Sequence, residues 1–160
     1  MKLRVFTTGG TIDKVYFDAK SDYEVGEPMV AHMFEESEVA FEYAITPLLR
    51  KDSLDLDDAD RALIRCAVEG AAERCIVITH GTDTMVETGR ALQGITDKVI
   101  VLTGALYPAR FRWTDAVFNL GGAAIAAATA APGVWIVMNG RVYAADKVRK
   151  DRDHNRFEER

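Results

Sequence analysis

At 160 residues, 48% hydrophobic and 28% charged, the chain can bury one real core and is too short for two comfortable domains. A net charge of -5 and a pI near 5.2 exclude the basic face that phosphate neutralisation needs, so a small diffusible substrate is expected and no nucleic-acid partner. The opening apolar run breaks at Thr8-Gly9-Gly10, too short for a signal-peptide core or a membrane span, and a cytoplasmic protein without membrane contact is expected.

In chain order, residues 3–7 read as a first strand. Residues 13–27 mix Tyr16, Phe17, Tyr23 and Val25 with Asp18, Ser21, Asp22 and Gly26, which suits a mobile hairpin or loop able to close over a ligand. Asp57 is a helix N-cap with Asp60 in the first turn, and Leu63, Ile64, Ala67, Val68 and Ala71 follow at three- and four-residue spacing, the pattern of an amphipathic covering helix. A strand at 75–79, a helix at about 83–94, a strand at 99–103, an alanine-rich helix at about 115–131 ended by Pro132-Gly133, and a strand at 134–138 complete the alternation. Residues 151–160 are mostly charged without an apolar period, and Phe157 is their one obvious docking group.

Strands alternating with helices imply a parallel sheet built from crossover units. The near-continuous apolarity of Ile76-Val77-Ile78 and of Val99-Ile100-Val101-Leu102 implies strands covered on both faces. The expected fold is α/β: one Rossmann-like or flavodoxin-like domain, mostly parallel, with helices on both faces. Cys66 and Cys75 lack C-x-x-C spacing and a flanking His pair, so they read as small core residues and no metal is expected.

Ligands of such sheets bind beyond the carboxyl ends of the strands, where strand order reverses. Three strands end in hydroxyl-, glycine- or acid-rich turns: Thr7-Thr8-Gly9-Gly10-Thr11, Thr79-His80-Gly81-Thr82-Asp83-Thr84 and Thr103-Gly104-Ala105. Each turn alone is explained by strand termination and helix capping; three on one edge suggest a site. No Walker lysine and no G-x-G-x-x-G is present, so a nucleotide cofactor is not expected. The glycines, Gly10 and Gly81 among them, instead let a substrate carbonyl approach backbone donors. His80 is an obvious candidate base, although nothing pairs it with a nucleophile and structural packing explains it as well. Asp83 is equally explained as a first-turn acid favoured by the helix dipole.

T-T-G-G-T-I at 7–12 and I-T-H-G-T-D-T-M-V-E-T at 78–88 resemble the paired signatures of bacterial-type L-asparaginases. K-S-D-Y-E-V-G at 20–26 resembles that family's flexible active-site loop, K-D-S-L-D at 51–55 a substrate-binding turn, and T-G-A with Pro108, Asp115, Phe118 and Asn119 a further block; V-M-N-G-R-V at 137–142 also fits. The resemblance spans nearly the whole chain. It implies a threonine-nucleophile amidohydrolase that converts L-asparagine to L-aspartate and ammonia without a cofactor. Thr11 matches the nucleophile and Tyr23 the loop tyrosine that assists it. Thr82 and Asp83 match a second cluster completed by Lys150. Ser53 matches the residue holding the substrate's α-carboxylate, Asp83 also contacts its α-amino group, and Ala105 matches a position lining the amide end of the pocket.

These roles are chemically sensible. A threonine hydroxyl becomes a nucleophile only when a neighbour takes its proton, and acylation splits amide cleavage into two easier steps. A lysine acting as base near neutrality must be desolvated at a cost of about 4 kcal/mol. A carboxylate beside it opposes that, so two roles stay open for Lys150: neutral base, or charged group that orients Thr82 and stabilises the oxyanion.

Departures from the family matter too. Residues 1–160 are expected to form the N-terminal-type catalytic domain, with the family's second, C-terminal domain absent. The carboxylate which that domain lends to a neighbouring subunit is then missing or replaced, with Glu158, Glu159 or a partner's carboxylate as candidates. Leu54 stands where the family has a substrate-contacting glutamine; a lost hydrogen bond to a charged amine costs on the order of 1.5–3 kcal/mol, so a KM of millimolar order and low glutaminase activity are expected. Arg110, Arg112 and Trp113 read as surface or as a carboxylate clamp at the pocket mouth. The resemblance also implies a homodimer or higher homo-oligomer. Rival readings are an amidohydrolase for another small amide, a catalytically silent asparagine- or aspartate-binding domain or amidotransferase subunit, and a flavodoxin-like nucleotide-binding domain.

Overall fold

The computed structural model describes all 160 residues. Five parallel strands, β1 (Lys2–Gly9), β4 (Glu42–Lys51), β5 (Cys75–Thr79), β6 (Val99–Thr103) and β7 (Gly133–Met138), and the antiparallel β8 (Arg141–Ala144) form one sheet in the order β4-β1-β5-β6-β7-β8. The chain steps outward from β1 to β4 and then returns to β5 on the other side, so strand order reverses around β1. The crevice between β1 and β5 is therefore the expected ligand position of a doubly wound sheet.

Alternation along the strands divides the interior in two. Leu3, Val5, Val77, Val99 and Val101 face α1 (Val30–Glu36) and α4 (Ala116–Thr129) in one apolar cluster; Phe6, Ile76, Ile78, Ile100 and Leu102 join residues of α2 (Asp58–Gly70) and α3 (Met85–Ala91) in the other. Both faces are thus covered, which is why these strands carry so little polar alternation. Asp57 caps α2 as expected: its carboxylate accepts from Asp60 N–H, and that of Asp60 accepts from Asp57 N–H. On α4 the buried Ala123, Ala124, Ala126 and Ala127 allow close approach to the sheet, and a Cβ added to Gly122 would already stand 3.3 Å from Val137 Cγ1.

Residues 13–27 form the expected hairpin, with β2 (Lys14–Phe17) antiparallel to β3 (Asp22–Val25). Five elements depart from expectation. No element was expected at strands β4 and β8 or at helix α1, and the charged tail forms β9 (Val148–Asp151) paired with β10 (Arg156–Glu159). The tail is ordered by few but well-placed groups: Phe157 is buried in the α2/α3 cluster, and its carbonyl accepts from the Tyr143 hydroxyl at 3.0 Å. No helix is long and apolar enough to cross a membrane.

Candidate active site

The three turns flagged in the sequence meet at one edge of the sheet. Register pairs Thr7 with Thr79 and Thr79 with Thr103, so β5 and β6 end level with Thr7, two residues before the end of β1. The Thr8 hydroxyl donates to the Thr79 carbonyl at 2.9 Å, tying the first turn to the second.

The contact between the turns is made backbone to backbone. Gly10 has φ +85, and a Cβ there would lie 2.4 Å from Gly81 N; a Cβ on Gly81 would in turn lie 2.6 Å from Ser53 Cβ and Oγ. Only glycine at 10 and 81 lets these three segments touch. The interlock sets Thr11, Thr82 and Ser53 on neighbouring turns. Ser53 is buried, and its carbonyl accepts from the Thr84 hydroxyl at 2.7 Å. Leu54 is 61% exposed.

Thr11 opens a short 3-10 turn after β1 and lines a cavity of about 360 Å3 together with Lys14, Asp22, Tyr23, Pro108 and Phe111. Tyr23 comes from the hairpin, is 44% exposed, and packs edge-on to Tyr16 and at 6.1 Å from the Phe111 ring. Two latches hold the hairpin over the edge. Lys14 Nζ pairs with Asp52 at 2.7 Å, and Arg50 donates to the Val25 carbonyl and pairs with Glu27. Burial works to raise the Asp52 carboxyl, but hydrogen bonds from Lys14 and the Leu54 N–H prevail and hold it below the usual carboxylate range.

The second cluster is assembled differently. Strand β9 delivers Lys150, whose side chain is 5% exposed, onto the turn after β5. Its Nζ donates to Thr82 Oγ1 at 2.5 Å and to Asp83 Oδ1 at 3.0 Å, and Arg152 donates to the Asp83 carbonyl. Asp83 and Lys150 line a cavity separate from that of Thr11. Ala105 is buried against the α1/α4 side, one residue beyond Gly104, whose added Cβ would meet the His80 carbonyl at 2.3 Å.

His80 is engaged structurally. Because a carbonyl only accepts, its Nδ1 donates to Gly81 O at 2.7 Å, leaving Nε2 to accept from the Thr88 hydroxyl at 2.8 Å. Complete burial pushes the imidazole down to about 4, against the opposing effect of the Gly81 bond, so it is neutral at physiological pH. Glu158 and Glu159 are turned to arginines of the same ribbon region, Glu158 to Arg149 at 2.7 Å and Glu159 to Arg141 at 3.7 Å. Arg112 stacks over the Trp113 ring, and Trp113 is 81% exposed.

Three groups at this edge escaped sequence reasoning. Lys14 and Phe111 line the Thr11 cavity, and Asp13, beside Thr11, is buried. Burial raises the Asp13 carboxyl to about 6, against the Met29 N–H bond and the charges of Arg50 and Arg110. Only the aromatic richness of residues 13–27 hinted at such a wall.

Comparison with known proteins agrees with this architecture. The family described as Asparaginase, N-terminal, matches residues 2–157. The chain is 31% identical over 159 residues to L-asparaginase 2 of Escherichia coli, covering 92% of this chain and 46% of that protein, and 44% identical over 80 residues to a glutaminase-asparaginase of Acinetobacter glutaminasificans, covering 47% and 24%. The thermostable L-asparaginase from Thermococcus kodakarensis superposes with a TM-score of 0.88 at 28% identity, over 99% of this chain and 51% of that one. The chain thus spans about half the length of the relatives that it matches end to end. With the family model matched over nearly the whole chain and the fold superposing on a solved L-asparaginase, the chain belongs to the asparaginase family, corresponding to that family's N-terminal domain.

Proposed function

We propose that the protein is an amidohydrolase that cleaves the side-chain amide of L-asparagine to L-aspartate and ammonia through a Thr11 acyl-enzyme. The observation that carries this reading is the pairing of Thr11 and Tyr23 on one cavity, with Gly10 locking the Thr11 turn against the one that bears Thr82 and Asp83, to which Lys150 of β9 is bonded.

In the acylation step the Thr11 oxygen attacks the amide carbon while Tyr23 passes the threonine proton to the departing nitrogen, and ammonia leaves. Water then attacks the ester, its proton returns to Thr11, and aspartate is released. Backbone N–H groups at the Gly10 and Gly81 turns receive the oxyanion. Lys150, already donating to both Thr82 and Asp83, serves as the charged member that fixes the Thr82 hydroxyl and offsets developing negative charge. Ser53 and Asp83 bind the α-carboxylate and α-amino groups, and Ala105 bounds the amide end from behind the third turn.

A second reading has its own support. Leu54 offers a substrate amine no hydrogen bond, while Phe111 and Tyr23 add aromatic surface beside Thr11, a combination that suits a small amide other than asparagine. The name of the glutaminase-asparaginase relative shows that substrate range varies among proteins of this type. We further propose a cytoplasmic homodimer or higher homo-oligomer; the two free cysteines suit a reducing compartment.

Ammonia release from L-asparagine, L-glutamine and other small amides tests the reading, with Thr11→Ala beside the parent chain. A loss of about a thousandfold or more in the variant is expected. Turnover that survives in Thr11→Ala would sink the acyl-enzyme, and binding of aspartate without turnover of any amide would make the chain a sensor.

A further inference from the structure

Behind Lys150, a cavity of about 180 Å3 opens between α3 and the β9–β10 ribbon. Of its eight lining residues one is hydrophobic, four are arginines, and Lys150 faces it beside two carboxylates, Asp83 and Glu87. Arg149 is matched by Glu158 at 2.7 Å and Lys150 by Asp83 at 3.0 Å. Five cations against three carboxylates, Glu158 included, leave an excess of two positive charges in a chain whose net charge is -5. Such a concentration against the overall charge has a desolvation and repulsion cost that an anion would relieve.

The donors are also of the right kind. Guanidinium groups present planar forks of N–H that match oxyanions, and Arg152 spends one of its N–H groups on the Asp83 carbonyl. Lys150 carries three donors, of which Thr82 and Asp83 take two. The small volume admits a phosphate group and excludes an extended polyanion.

We propose that this cavity binds a small oxyanion of the phosphate class, held by Arg90, Arg149 and Arg152 against the back of Lys150. The cavity shares no residue with the Thr11 cavity but is lined by Asp83 and Lys150, so the anion is held outside the space that admits the amide and touches the Thr82–Asp83–Lys150 cluster from behind. Calorimetric titration with inorganic phosphate, at an ionic strength fixed with chloride, is expected to show one saturable site. Arg90→Gln and Arg149→Gln should each weaken it about tenfold, as loss of a charge-assisted bond predicts, with the melting temperature in phosphate-free buffer checking that each variant is folded. No saturable heat above chloride, or unchanged affinity in both folded variants, overturns the site. A parallel titration with a simple alkyl phosphomonoester separates the sources: weaker binding than phosphate identifies the free ion, equal or tighter binding a phosphorylated metabolite. Heat is read without any turnover, so a negative result here leaves the amidase reading standing, and the reverse holds.

Discussion

The two hydroxyl clusters at the sheet edge are built on opposite plans. Thr11 sits in an open cavity whose outer wall, Tyr23, is half exposed and belongs to a hairpin fastened by surface ion pairs. Thr82 is buried and bonded to a lysine that is itself 5% exposed. Surface pairs contribute little to stability, about 0–1 kcal/mol each, so the hairpin can open at small cost. A buried bonded charge moves only at large cost. One cluster is suited to admit a substrate and the other to hold its geometry while that happens, which is the preorganisation that electrostatic stabilisation requires.

The comparison breaks first at Lys150. Truncation in Lys150→Ala leaves Thr82 without its partner and Asp83 without its counter-charge, and should lower kcat by about a hundred- to a thousandfold with a smaller change in KM. A kcat within a few-fold of the parent would show that the buried cluster does no chemistry. Next in size is the interlock. Gly10→Ala combines a φ of +85 with a Cβ overlapping Gly81 N, and is expected to destabilise the fold by about 3 kcal/mol or more, read as a lowered midpoint in urea. An unchanged midpoint would mean that the two turns do not press together.

Asp13 gives a pH signature. Its folded value of about 6 lies above the ordinary 3.8, so between these values the folded state holds the proton more tightly than the unfolded chain. Its contribution to stability is full below about 3.8 and is lost as pH rises through 6. His80 runs the other way: depressed from 6.5 to about 4, it contributes stability above 6.5 that is lost as pH falls through 4. Between pH 4 and 6 the two largely offset. Asp13→Asn should remove one side, gaining about 2 kcal/mol over the parent between pH 4 and 7 in denaturant titrations and unmasking the acid sensitivity set by His80. A parallel shift at all pH values would contradict the assignment. Smallest is Tyr23→Phe, which keeps the ring contacts with Tyr16 and Phe111 and should reduce kcat about tenfold without moving the melting temperature. A large stability loss would show that the hairpin is a packed element instead of a cover.

The sheet edge was legible in the sequence because its strands are apolar runs that end in unusual turns; Thr11, Thr82 and Ser53 needed only the fold to be brought side by side. Strand β4 was missed because Glu42 to Lys51 carries Pro47 and two basic residues on an edge strand with one neighbour, a composition local propensity does not favour. The tail was missed for a related reason. β9 and β10 read as solvated charge, and what orders them is one phenylalanine in a distant core and a tyrosine hydroxyl on its carbonyl. The raised carboxyl of Asp13 was invisible too, since burial is a property of the folded hairpin and α1 and not of the triplet Thr-Ile-Asp. The split of the candidate residues between two cavities likewise had no local signal.

The interlock of Gly10, Gly81 and Ser53, with Lys150 donating to Thr82 across 68 positions of sequence, bears on how the chain reaches its native state. Contacts between segments this far apart close large loops and are made after local helices and hairpins have formed. Refolding should therefore recover helical circular dichroism ahead of the near-ultraviolet signal of the packed aromatic side chains. The β1–β5 pairing, Leu3 with Cys75, is just as distant in sequence, so for an interval the chain would hold formed helices and hairpins with the central sheet and its edge both unassembled.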